Sequence, residues 1–358
     1  MIRVIVVDDS AVVRQIFERA LARDPEIEVV ATAPDPFVAR DLIVAHQPDV
    51  LTLDIEMPRM DGVDFLRRLM HFKPMPVVIV SSLSQAGSAV ALEALRAGAV
   101  EVLAKPGPAY SAAELSDDLV RAVKAAARAH PSKAGAAPER GPAGALSRTT
   151  NRVLAIGAST GGTVALEQLF SALPHDIPGT VVAQHMPEVF TRLFAARLKE
   201  ATGLDVREAV DGDSLTPGCV LIAPGNKHLL VNRSGARYFA QVRDGPRVNH
   251  HRPSVDVLFR SVARAAGANA VGVILTGMGG DGAKGMLEMH EAGAHTLAQD
   301  EASCVVFGMP RVAIELGAVD EIVSLDQMPH RIVDALHFEN QPAPAHPGRL
   351  GGVPDARQ

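Results

Sequence analysis

Residues 1–21 read MIRVIVVDDSAVVRQIFERAL. Arg3–Val7 reads as one continuous, mainly β-branched run; two aspartates follow, and Val12, Ile16, Ala20 and Leu21 then recur at helical spacing. A strand without polar alternation is buried on both faces, as in a parallel sheet covered by helices. The alternation continues along the chain. Residues 27–31, 50–53, 76–80 and 100–103 read as strands, with helices near 36–46, 62–71, 85–97 and 112–128. Five strands alternating with helices predict a doubly wound, flavodoxin-like α/β domain over residues 1–125.

A composition shift follows. Residues 126–148 are rich in Ala, Pro and Gly and lack a long apolar period, so they read as a flexible linker. Residues 341–358 read as a disordered tail for the same reason. Between them, residues 149–340 repeat the first pattern. Strands are expected at 153–156, 180–183, 219–223 and 270–275, and helices near 163–172, 188–201, 254–266 and 283–292. Residues 229–243 read as a β-hairpin turning at Arg233-Ser234-Gly235. The pieces RAGAVEVL (96–103) and EAGAHTLA (291–298) share one local solution, a helix ending on glycine and entering a strand. The second block is therefore expected to be a Rossmann-like α/β domain carrying a hairpin.

Composition narrows the function. The 358 residues are 47% hydrophobic and 21% charged, ordinary values for a folded soluble protein. A net charge of −6 argues against a general polyanion binder, and no Trp with only two Tyr argues against a single-strand stacking platform. No nucleic-acid partner is expected. The two cysteines, Cys219 and Cys304, exclude a disulfide scaffold. The N-terminal apolar run is too short for a signal segment, and no run of about 18 apolar residues occurs, so a cytoplasmic protein without membrane insertion is expected.

Ligands of parallel sheets sit at the carboxyl ends of the strands. In the first block those ends carry Asp8 and Asp9, then Asp54, then Ser81, then Lys105 followed by Pro106. Three carboxylates in one cleft repel one another and favour a bound cation. Mg²⁺ suits such hard oxygen ligands and leaves positions open for phosphate. A carboxylate can attack phosphorus to give an acyl phosphate, with Lys105 and Ser81 contacting the phosphoryl oxygens. The segments VDDS, LDIEMPRMDG, SS and KP at these positions resemble the receiver domain of bacterial response regulators. The resemblance implies Asp54 as phosphoacceptor and an Mg²⁺ pocket of Asp8, Asp9, Asp54 and the Glu56 carbonyl. Val102 stands where receivers often carry an aromatic switch residue, so that rotamer switch is lacking.

In the second block, Gly157-Ala158-Ser159-Thr160-Gly161-Gly162 follows a strand and opens a helix. A dinucleotide loop needs glycine where Ser159 stands, and an acid at the end of the next strand, where Gln184-His185-Met186 is found. The alternative is a G-x-S-x-G turn presenting a serine where helix amides stabilise developing negative charge. Such a serine needs a base, and the base an orienting group. His185 ends the neighbouring strand, and Asp281 lies in the glycine-rich loop 275–282 at the same rim. The pair His250-His251 has no third ligand at a regular spacing, which disfavours a metal site there.

The segments GASTGG, QHMPEVFT, APGNKHLL, RPSVDVLF and LTGMGGDGAKG resemble the catalytic domain of chemotaxis protein-glutamate methylesterases. That resemblance implies hydrolysis of γ-glutamyl methyl esters and deamidation of glutamines on chemoreceptors. It also implies a chemotaxis histidine kinase as phosphodonor. Ser159 is then the nucleophile, His185 the base and Asp281 its partner, with Thr160 and the Met278 amide as oxyanion donors and no cofactor for the ester step. A competing reading is a response regulator whose second domain binds DNA. Residues 151–340 oppose it, with 16 Lys and Arg against 21 Asp and Glu and no basic stripe. A catalytically dead scaffold is the third reading, separable by assay.

Overall fold

The computed structural model describes residues 1–57, 61–82, 84–105, 112–129 and 152–337. The first domain runs β1 (Ile2–Val7), α1 (Ala11–Leu21), β2 (Ile27–Ala33), α2 (Pro36–His46), β3 (Val50–Asp54), α3 (Gly62–Phe72), β4 (Val77–Ser81), α4 (Gln85–Arg96), β5 (Glu101–Ala104) and α5 (Ala112–Ala127). Its strands pair in parallel in the order β2-β1-β3-β4-β5. Val4, Ile5, Val6 and Val7 are buried, as the uninterrupted apolar run predicts. The order reverses between β1 and β3, so Asp8 and Asp54 face the crevice where ligands of such sheets bind.

The second domain runs β6 (Val153–Ala158), α6 (Gly162–Ala172), β7 (Gly179–Gln184), α7 (Glu188–Thr202), β8 (Asp205–Glu208), β9 (Cys219–Ile222), β10 (His228–Ser234) and β11 (Arg237–Arg243). It continues with α8 (Val255–Ala266), β12 (Ala270–Ile274), α9 (Ala283–Glu291), β13 (His295–Gln299), α10 (Met309–Glu315), β14 (Glu321–Val323) and α11 (Met328–His337). Seven parallel strands lie in the order β14-β13-β12-β6-β7-β9-β8, and β10 with β11 forms a separate antiparallel hairpin. Here the switch point falls between β6 and β12. The hairpin pairs Ser234 with Arg237, so its two-residue turn is Gly235-Ala236, and Gly235 supplies the positive φ of 57°.

Besides a 3-10 turn at Gly267–Asn269, β8, β14, α10 and α11 lie outside the segments expected from sequence. The two strands are at the sheet's edges, where one face is wet and the apolar run is short; β8 reads only DVRE. At 126–128, where the expected helix 112–128 and the expected linker overlap, the structure follows the helix. Helix α5 continues to Ala127, with Ala125 and Ala126 buried, because an alanine run has the highest intrinsic helix propensity and here a face to bury. The rest of the linker from 130 onward, and the tail 341–358, lie outside the described residues.

The two domains touch. Arg197 on α7 donates to the Leu92 carbonyl on α4 at 3.1 Å, and Arg96 pairs with Glu167 on α6 at 3.4 Å. Arg247 lies 3.6 Å from Asp118 on α5. A continuous cluster of buried apolar residues joins Leu92 and Leu95 to Phe190 and Phe194. These contacts bring edge strand β5 to the mouth of the cleft at the β6–β12 switch point.

Candidate active site

Ser159 is the first residue after β6. The strand approaches α8 so closely that a Cβ on Gly157 would stand 2.2 Å from Val255 Cγ1. The positive φ of the turn, 78°, falls on Gly161, which is also the N-cap of α6. Gly161 thus takes the left-handed conformation and leaves Ser159 outside it. The Ser159 N–H donates to the Thr276 carbonyl at 3.0 Å, tying the turn to the loop after β12.

Three strand ends then meet. His185 follows β7, and its Nδ1 is 3.0 Å from Ser159 Oγ. Its Nε2 is 2.8 Å from Asp281 Oδ2. The Asp281 carboxylate accepts from Ser254 Oγ at 2.8 Å, from Asn249 Nδ2 at 2.8 Å and from the Val255 N–H at 2.7 Å. Burial alone raises the Asp281 pKa; the hydrogen bonds from His185, Asn249 and Ser254 outweigh it and hold the carboxyl well below the usual range. Asp281 is therefore ionised, and it draws the His185 proton to Nε2, leaving Nδ1 to face the serine.

Thr160 and Met278 line the same cleft, which has a volume of about 520 Å³. The Thr160 hydroxyl donates to Glu101 Oε2 of the first domain at 2.8 Å. Sequence reasoning missed several supporting groups. His251 stacks on His185 with ring centroids 3.6 Å apart and planes 7° from parallel. Burial and the neighbouring His185 push the His251 pKa far down, so that ring is neutral. Asn249 and His250, at φ of 51° and 69°, form the bend that delivers the Asn249 amide to Asp281 and Asp256. Gln184 donates to the Ser159 carbonyl at 2.9 Å. The doubled histidine and the unusual density of Asn, His and Pro at 249–253 were the only signal, and spacing alone does not say which ring is stacked.

The first domain's pocket also assembles. Lys105 Nζ is 2.6 Å from Asp54 Oδ2 and 3.3 Å from Asp8 Oδ2. Burial opposes the charge on Lys105, but the bond to Asp54 prevails and raises its pKa. Burial also raises the Asp8 carboxyl, against the pull of Lys105. Ser81 is fully buried at the end of β4. The Glu56 N–H donates to Asp54 Oδ1 at 2.9 Å, and its side chain accepts from Ser82 Oγ at 2.8 Å. Carboxylate oxygens of Asp8, Asp9 and Asp54 lie within 4.8 Å of one another, and buried Asp8 Oδ2 faces the Lys105 ammonium at 3.3 Å. Three convergent carboxylates against a single lysine fit a small divalent cation.

A family model described as CheB methylesterase matches residues 154–332, and one described as response regulator receiver domain matches residues 4–127. A protein of Anaeromyxobacter dehalogenans named protein-glutamate methylesterase/protein-glutamine glutaminase 4 is 62% identical over 340 residues, covering 93% of this chain and 94% of that one. A Syntrophus aciditrophicus protein with the corresponding name, numbered 2, is 55% identical over 93% of this chain and 98% of its own length. Among solved structures, the catalytic domain of the Thermotoga maritima CheB methylesterase is 37% identical, covers 52% of this chain and 98% of that one, and superposes with a TM-score of 0.50. No helix among the described residues is long and apolar enough to cross a membrane.

Proposed function

The chain belongs to the CheB methylesterase family, with a response regulator receiver domain ahead of the esterase domain, and from that premise we propose that it demethylates γ-glutamyl methyl esters and deamidates glutamines on chemoreceptors. The observation that carries the reading is the hydrogen-bonded chain Ser159–His185–Asp281 at 3.0 and 2.8 Å. His185 Nδ1 takes the serine proton as Oγ attacks the ester carbonyl. Asp281, ionised, stabilises the imidazolium formed through Nε2. The two ring nitrogens exchange the roles they have in chymotrypsin, which the chemistry permits because either neutral tautomer offers one donor and one acceptor. The oxyanion meets the Thr160 hydroxyl and the Met278 amide at the start of the cleft. Methanol, or ammonia from a glutamine, leaves with the proton from His185, and water releases the acyl group.

The receiver's role is phosphate uptake at Asp54 from a chemotaxis histidine kinase. Asp8, Asp9, Asp54 and the Glu56 carbonyl would hold Mg²⁺, which neutralises charge on the transferring phosphoryl group. Lys105 and Ser81 would then take the phosphoryl oxygens. The Lys105–Asp54 bond of 2.6 Å must open for this. The freed lysine links phosphorylation to the α4–β5–α5 side that lies on the esterase cleft. The unphosphorylated receiver restricts access to Ser159, and phosphorylation weakens that docking.

The test is methanol release from methylated receptor membranes. Ser159→Ala should lower the rate roughly 10⁴–10⁶-fold while the chain stays folded. Near-normal release by the variant removes Ser159 from the mechanism.

A further inference from the structure

Glu101 opens β5, the edge strand of the receiver, and its side chain enters the esterase cleft. Its carboxylate accepts from the hydroxyl of Thr160, the residue directly after the nucleophile, at 2.8 Å. Among the described residues that hydroxyl is its hydrogen-bond partner. The walls around it include Ser159, Thr160, Gln184, His185 and Met186. A carboxylate confined there with one hydroxyl donor is a poor way to hold two domains together, since burial raises its pKa and the desolvation is only partly offset. The side chain itself is the informative part. The reaction proposed above leaves a glutamyl γ-carboxylate in this same cleft.

We propose that Thr160 marks the subsite for the substrate's glutamyl carboxyl group, and that Glu101 fills it as a tethered analogue of the reaction product. This rests on the esterase reading and deepens it. The receiver does not merely cover the cleft; it offers the chemical group that the cleft is built to release. A tethered ligand acts at high effective concentration, so a weak product-like contact suffices to compete with receptor glutamates, and a small loss of docking frees the site. Glu101 opens the strand that leads directly into Lys105, four residues on, so the cleft contact and the phosphate-site lysine sit on one short stretch of chain.

Two variants of the full chain test this. Glu101→Gln places a glutaminyl amide in the subsite. Ser159 Oγ would then bond to its Cδ, the C–N bond would break, and ammonia would leave with the proton from His185. Water would hydrolyse the ester and return a carboxylate at residue 101. The expected result is slow amide-to-acid conversion at residue 101 by peptide mass spectrometry, absent when Ser159→Ala is added. Glu101→Ala empties the subsite, and unphosphorylated methanol release should rise about tenfold. Uptake of phosphate from acetyl phosphate at Asp54 shows that each receiver is folded. If the amide of Glu101→Gln stays intact in a chain that hydrolyses receptor esters once phosphorylated, the proposal is overturned while the esterase assignment stands. An unchanged basal rate in Glu101→Ala overturns it equally. Absence of ester hydrolysis in every form, phosphorylated wild type included, overturns the esterase reading itself.

Discussion

At the scale of single residues, the site depends on one carboxylate and the groups that aim at it. Asp281 keeps its charge in a buried place because Asn249, Ser254 and the Val255 amide point at it along with His185. His251 forms a neutral plate beneath the base. Removing that plate with His251→Ala should lower methanol release by about two- to tenfold, the worth of one aromatic stack, and His251→Phe should restore most of it. Equal losses in both variants would show that the ring's polarity, not its stacking, matters. The pH response follows from the directions of the two shifts. His251 has a folded pKa below the unfolded value of about 6.5, so its neutral state gives stability that is complete above that pH and declines as pH falls. Asp281, also lowered, holds its contribution until pH falls below its unfolded value of about 3.8. Stability of the wild type should therefore begin to drop below about pH 6.5. His251→Phe should flatten the part between about pH 6.5 and 5, measured by denaturant midpoint; an identical slope would dismiss the histidine as the cause.

At the scale of elements, the turn between β6 and α6 works only because the strand lies against α8. Gly157 is where they meet, 2.2 Å from an added Cβ to Val255 Cγ1. The same helix starts with Ser254, whose hydroxyl bonds Asp281, and carries Asp256, which accepts from Asn249 and from the Gly285 N–H. Gly157→Ala should push α8 away and cost about 1–3 kcal/mol by overpacking, with a matching fall in melting temperature. Activity should fall further than stability accounts for, because Asp281 loses its donors as α8 moves. A melting temperature within error of wild type would mean that the contact relaxes without cost. The α8 helix itself is held by full burial of Leu258, Phe259 and Val262, each worth about 1.5–3 kcal/mol.

At the scale of the whole chain, one domain edge covers the other's cleft through an apolar cluster around Leu92, Leu95, Phe190 and Phe194 and, among the described residues, polar contacts that include Thr160–Glu101, Arg197–Leu92, Arg96–Glu167 and Arg247–Asp118. Such an interface is reversible, and shifting it takes a few kcal/mol at most. Asp54→Asn should take up no phosphate from acetyl phosphate and should leave the full chain at its basal rate; labelling equal to wild type would displace Asp54 as acceptor. A fragment starting near Thr149 should release methanol faster than the unphosphorylated full chain. If removal of residues 1–148 leaves the rate unchanged or lowers it, the receiver acts by stimulation or receptor targeting instead.

The parallel α/β class of each domain and the residues at the strand ends were legible without coordinates, whereas the strand orders came from the structure. Uninterrupted apolar runs force burial on both faces, and parallel strands place their following residues along one rim, so Asp8, Asp54, Ser159, His185 and Asp281 could be nominated from position alone. Short edge strands such as β14 were not legible, because three residues with one wet face carry no period. The partners of Asp281 were not legible either. Asn249, His251 and Ser254 come from a loop far from it in sequence, and only packing of that loop against the β12 end decides which ring stacks and which amide donates. The meeting of Glu101 with Thr160 is of the same kind. Local propensity acts over a few residues, whereas a contact between two domains is set by the shape and chemistry of whole surfaces that no single segment contains.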